Sequence, residues 1–171
     1  RQHLQFLRLG VEIPRSTMAA WTIYVAERCK PMIDLLTQNI RAGDSINMDE
    51  TPLQVLKEPG RSSRRESFMW LYRTGRYTKT PAVLYEYRET RSSAHPKRFL
   101  EDFKGYLHTD GYSGYKTLQK DIRLCGCWAH ARRKFHEAVE AAPPEEKTNS
   151  VSQKGVDFCS RLFELEREYE H

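Results

Sequence analysis

The spacing of apolar residues changes period once along the chain, and that change divides it. Over residues 1–44 the period is helical. Leu4, Phe6, Leu7 and Leu9 form an apolar group that stops at Gly10, a suitable helix-terminating residue. After Pro14, with Ser16 or Thr17 available as a cap, Met18, Trp21, Val25, Cys29, Met32, Leu36 and Ile40 recur at steps of three and four. This seam predicts a core-facing helix, kinked or divided at Pro31. A short helix, a glycine turn and a second helix also describe a helix-turn-helix, so DNA reading and plain support of the next domain both stand for this segment.

From Ser45 the period becomes two. A strand is expected over 46–56, with Asn47, Asp49 and Thr51 on one face and Met48 and Glu50 on the other. Pro52 predicts a bulge or a strand end just beyond Asp49. A basic, turn-rich loop over 57–65 leads to strands over 67–73 and 82–87. A short helix over 96–103, with Phe99, Leu100 and Phe103 inward, precedes a fourth strand over 105–110. A turn and a short helix over 116–120 lead to a fifth strand over 122–128 and a helix over 129–142, whose apolar face is Phe135, Ala138, Val139 and Ala142. Pro143 and Pro144 open a linker, and a final helix spans 155–169.

Three strands joined by short loops, followed by helix-linked strands, predict an α/β fold with a mixed sheet: three antiparallel strands extended by two parallel ones, in ribonuclease H-like order. The expected organisation is a helical segment over 1–44, a core over 45–142, and a linker with the start of a helical insertion over 143–171.

The totals narrow the class. The 171 residues suffice for one domain with a core, and a net charge of +5 suits a polyanionic partner. Four cysteines without a disulfide-framework spacing favour a reducing, cytoplasmic setting. No apolar run reaches membrane-spanning length, so no membrane partner is expected. The chain opens on Arg1 and closes within a helical pattern, as a piece of a longer protein would.

Asp is depleted in strands, so Asp49 in mid-strand asks for a reason. If the fourth strand lies beside the first, Asp110 comes roughly 4.8 Å away, one strand spacing. Two carboxylates so close repel unless a cation lies between them, and hard oxygen donors suit Mg²⁺ or Mn²⁺. The competing role for Asp110 is the Asp-Gly turn it forms with Gly111. Tyr112 and Tyr115 are read as packing residues in preference to base-stacking ones. Cys125, Cys127 and His130 lack a fourth zinc ligand, so zinc is not expected. His130, Arg132, Arg133 and Lys134 open a helix, where cations oppose the macrodipole; phosphate contact and a solvated basic face weigh evenly as explanations.

Taken together, Met48-Asp49-Glu50-Thr51-Pro52, the segment from Leu107 to Tyr115 and the segment from Cys127 to Phe135 resemble the insertion-sequence-66 family of transposases, along nearly the whole chain. The resemblance implies a DDE-type enzyme: a ribonuclease H-like domain whose two Asp and one Glu bind divalent metal for cleavage and transfer of DNA strands. It makes Asp49 the first acid and Asp110 the second, with transposon ends and target DNA as partners and homo-oligomers as an allowed assembly. The family's Glu lies in an Ala-Glu-Arg segment that does not occur here, and none of Glu137, Glu140, Glu164, Glu166 or Glu168 is assigned to its place. On that ground this chain alone is expected to be inactive. A DNA-binding remnant unable to cut, and another nuclease of the same fold, are the alternatives.

Overall fold

The computed structural model describes residues 1–118, 120–148 and 150–169. Helices α1 (Gln2–Arg8), α2 (Arg15–Arg28) and α3 (Lys30–Arg41) precede strands β1 (Ser45–Gln54), β2 (Glu66–Thr74) and β3 (Val83–Arg88). Helix α4 (Ala94–Phe99), strand β4 (Gly105–Thr109), a 3₁₀ turn (Ser113–Thr117) and strand β5 (Ile122–Gly126) follow. Helices α5 (Trp128–Ala141), α6 (Pro144–Lys147) and α7 (Val151–Glu168) complete the chain.

The strands form one mixed sheet in the order β3-β2-β1-β4-β5, which is the ribonuclease H-like arrangement. β1, β2 and β3 pair antiparallel, and β4 and β5 add in parallel. The alternation in β1 sorts its side chains. Ile46 and Met48 are buried, with Trp70, Tyr72, Leu84 and Leu107 from the neighbouring strands. Ile40 of α3 and Phe99, Leu100 and Phe103 from α4 and the segment after it close over this face. The rings of Tyr72 and Phe99 stack with centroids 3.5 Å apart. Arg41 at the end of α3 donates to the carbonyls of Arg98 and Phe99, the latter a short contact, satisfying helix-end acceptors that α4 itself leaves open.

Several expectations are corrected. The strand over 46–56 ends at Gln54, and β1 carries no bulge at Pro52: its register with β2 runs unbroken through the Pro52–Phe68 pair. The Asp44 carbonyl points to β4 and the Ser45 carbonyl to the β2 side, so by alternation the Pro52 nitrogen faces the β4 side. β4 pairs only with Ser45, Ile46 and Asn47, which leaves that edge free where a proline needs no donor.

The helical seam of residues 18–40 is divided at Cys29, one residue before the turn that carries Pro31. Most of it is not core: Trp21 is 54% exposed, and Val25 of α2 and Met32 of α3 are also exposed, while Ile40 is buried. Regular spacing defines a face but supplies no partner for it, and only the end of α3 reaches the sheet.

The remaining boundaries shift modestly. The helix expected over 96–103 is α4 with Phe103 beyond it, and Phe99, Leu100 and Phe103 do point inward. The helix expected over 116–120 is replaced by the 3₁₀ turn, and its residue Gln119 lies outside the described residues. The fifth strand stops at Gly126, and α5 starts at Trp128. Ala138, expected on the apolar face of α5, is exposed. The segment expected to be a linker contains α6, and α7 begins at Val151; Asn149, Glu170 and His171 of the 143–171 segment lie outside the described residues. α5 and α7 pack closely at Gly155, where an added Cβ would meet the Phe135 ring at 2.5 Å.

Candidate active site

Asp49 and Glu50 are neighbours in sequence and opposites in environment. Asp49 leans to the open face of the sheet, its side chain 48% exposed, whereas the Glu50 side chain, on the covered face, is 1% exposed. The β1–β4 ladder runs in steady register from Ser45–Tyr106 to Asn47–His108. Each pair is separated by 61 positions (106 − 45 and 108 − 47), and 110 − 49 is also 61. The ladder stops at Asn47–His108; continued by two residues, its register would set Asp110 opposite Asp49.

β4 ends at Thr109, so Asp110 is the first residue past the strand. Gly111 follows with φ of 88°, a conformation in which a side chain would be strained. The Asp110 Oδ1 accepts a 2.8 Å hydrogen bond from the Tyr112 backbone N–H. The Asp-Gly turn is thus real, and it anchors one carboxylate oxygen while the other, Oδ2, faces Arg91 Nη2 at 3.5 Å.

The start of α5 closes the site from the other side. The Cys127 N–H donates to the Thr109 carbonyl over 2.9 Å, which pins the N-terminal end of α5 beside the end of β4. The partial positive charge of that helix end favours nearby carboxylates. From its first turn His130 reaches Asp49, Nε2 to Oδ2 at 3.5 Å, while its Nδ1 is buried without a partner among the described residues. The other basic residues of this turn diverge. The Arg132 Nε donates to Ser160 Oγ of α7 at 3.2 Å, Arg133 is exposed, and Lys134 pairs with Glu137 at 2.8 Å. His130 therefore belongs to the acids' surroundings, and Arg132 to the α5–α7 contact.

On the covered side, the buried Glu50 carboxylate is shared. Arg91, in the loop between β3 and α4, donates from Nε to Glu50 Oε1 at 2.6 Å, and the Tyr115 hydroxyl makes a short hydrogen bond to Oε2. Burial, then the hydrogen bond to Glu50 and the charges of Glu50 and Asp110, push the Tyr115 hydroxyl far above its usual pKa, so it stays a donor. Burial opposes the charge on Arg91, but the hydrogen bond and charge of Glu50 and the charge of Asp110 outweigh it and raise its pKa. The Arg91 guanidinium also lies 4.0 Å from the Tyr112 ring centroid, and that ring meets Tyr115 edge-on at 5.5 Å. Both tyrosines pack, Tyr115 in the core and Tyr112 against it.

Arg91 was not legible as a site residue. It sits in a polar stretch, Arg88-Glu89-Thr90-Arg91-Ser92-Ser93, with no pattern to distinguish it from a solvated charge. Only the long-range placement of Glu50 and Asp110 on either side gives it a task.

Asp49 in mid-β1 and Asp110 just past the end of β4 offer hard carboxylate oxygens, a donor type that fits Mg²⁺ or Mn²⁺ as two ligands of six. Among the described residues no group of three or more His, Cys, Asp or Glu side chains forms a metal-holding cluster. The fit is that of an open, two-carboxylate platform whose further positions would go to water and phosphate oxygens.

A family model described as "Transposase IS66 family" matches residues 1–171. Three uncharacterized proteins of Sinorhizobium fredii (strain NBRC 101917 / NGR234) are similar over 98% of this chain: y4qI at 33% identity, y4jD at 34% and y4hP at 27%. The chain spans about a third of their length: 32%, 34% and 33%. No solved structure gives a significant match. No helix among the described residues is long and apolar enough to cross a membrane. By its sequence over the full 171 residues, the chain belongs to the IS66 family of transposases.

Proposed function

We propose that this chain is the catalytic-domain portion of a DDE-type DNA transposase, in which Asp49 and Asp110 are the first two acids and together hold Mg²⁺ or Mn²⁺. The observation that supports the reading is the β1–β4 register, which, extended two residues past its last pair, would set Asp110 opposite Asp49. A bound divalent ion would activate the attacking oxygen and stabilise the leaving one in phosphodiester cleavage and strand transfer. This chain's residues supply the framework. β1 and the Gly111 turn aim the acids, Tyr112 N–H fixes one Asp110 oxygen, and His130 faces the outer oxygen of Asp49. DNA ends and target DNA would approach along the open side of the sheet. Arg133 and Lys134, exposed on the helix that begins there, are the groups proposed for phosphate contact, while Arg132 is held by Ser160 and His130 by Asp49.

The lack of a third acidic partner among the described residues favours a second reading, a family member that binds DNA without cutting it. Incubation with supercoiled plasmid separates the two. Mg²⁺-dependent nicking that disappears in Asp49→Asn supports the enzyme, as does strand transfer by a longer form of the protein lost in the same variant. Salt-sensitive DNA binding with no nicking by either form supports the DNA-binding reading.

A further inference from the structure

The feature left unused by that reading is the ion pair beneath it. A buried carboxylate needs full compensation, and Glu50 receives it from Arg91 and Tyr115. Yet Arg91 is not spent on Glu50 alone. Its Nε serves Glu50 at 2.6 Å while Nη2 faces Asp110 at 3.5 Å, so one guanidinium spans a carboxylate on the covered face and one at the candidate metal platform. The two distances are unequal. The nearer contact is a charge-assisted hydrogen bond to a 1% exposed partner, and the longer is an electrostatic contact to a carboxylate with access to solvent.

We propose that Arg91 is the built-in counter-ion of Asp110, which a divalent cation must displace, and that Glu50 is the positioning residue that retains Arg91 when it releases Asp110. The inference rests on the metal reading of Asp49 and Asp110. A guanidinium and a divalent cation cannot both sit close to one carboxylate without strong repulsion, because like charges a few ångströms apart interact strongly even at the effective dielectric of a protein surface. Glu50 lowers that conflict by neutralising Arg91 from the far side. Tyr112 holds Arg91 in place through its ring, 4.0 Å from the guanidinium, and through its hydroxyl, which donates to the Arg91 carbonyl at 3.4 Å. Arg91 can therefore give up Asp110 without leaving its seat.

The two side chains of this pair then act on metal affinity in opposite directions. Arg91→Gln removes the competitor and tightens Mn²⁺ binding by about fivefold or more. Glu50→Gln leaves Arg91 with Asp110 as its only anionic partner among the described residues and weakens Mn²⁺ binding by a similar factor. A merely structural role would move both variants the same way, towards loss.

The test is Mn²⁺ titration of this chain, followed by the paramagnetic resonance signal of the free ion, with thermal unfolding of each variant as the folding check. Tightening in Arg91→Gln supports the proposal; unchanged or weaker binding overturns it. If Glu50→Gln does not fold, Arg91→Gln decides alone. Asp110→Asn separates the two layers. Binding lost in Asp110→Asn but unaltered in Arg91→Gln overturns the counter-ion and leaves the metal reading standing. Binding that is absent in the wild type, or indifferent to Asp110→Asn, overturns both.

Discussion

The two faces of the sheet are built to different ends. On one, Trp70, Tyr72, Ile46 and Leu107 are sealed beneath the end of α3 and the α4 segment. On the other, Val83, Tyr85 and Tyr87 of β3 are exposed, Tyr85 to 64%, and Met69, Leu71, Thr51 and Asp49 continue the same open surface. The covered face obtains its stability from burial, as cores do. The open face holds the half-solvated acid and the start of α5, the parts that a ligand can reach. Asp49 and Glu50 show the difference within one peptide unit: the same carboxylate chemistry stands half in solvent on one side and in an internal ion pair on the other.

The largest effect that could break this comparison is at adjacent positions of β2. Trp70→Ala should cost about 4 kcal/mol, because a sealed aromatic leaves a cavity. Leu71→Ala, on the open face, should cost no more than about 1 kcal/mol. Urea denaturation of both variants checks the contrast, and equal losses would mean that the open face is as tightly covered as the core. Next comes the acid pair. Glu50→Ala should destabilise by about 2 kcal/mol, since it strands the Tyr115 hydroxyl and takes from Arg91 its nearer partner. Asp49→Ala should stay within about 0.5 kcal/mol of the wild type. A large loss on removing Asp49 would give it a structural role and weaken its assignment to a ligand. The smallest effect concerns the exposed tryptophan of α2. Trp21→Ala should change the stability of this chain by no more than about 0.5 kcal/mol, measured in the same way. A cost near that of Trp70→Ala would return Trp21 to a core.

Much of the architecture was readable from alternation and turns. The period-two runs found all five strands, and their linkage found the antiparallel and parallel parts of the sheet. The alternation alone also separates Asp49 from Glu50, and their exposures follow it. Periodicity failed where it had to stand in for a partner. The seam through Trp21 and Val25 is regular, but regularity does not say that another surface meets it. Pro52 was misread because a missing donor matters only where a neighbouring strand asks for one, and β4 stops short of that position. Arg91 was invisible for the opposite reason. Its importance lies in two acids 41 and 19 positions away (91 − 50 and 110 − 91), and nothing local marks it.

Asp49 and Asp110 are proposed to act as one cation platform. Its most direct test is a comparison of Mn²⁺ affinity in the wild type, Asp49→Asn, Asp110→Asn and the double variant, each shown by circular dichroism to be folded. A shared platform predicts that either single change weakens binding by about tenfold or more, and that the double variant loses little beyond it. Wild-type affinity in either single variant would contradict the account.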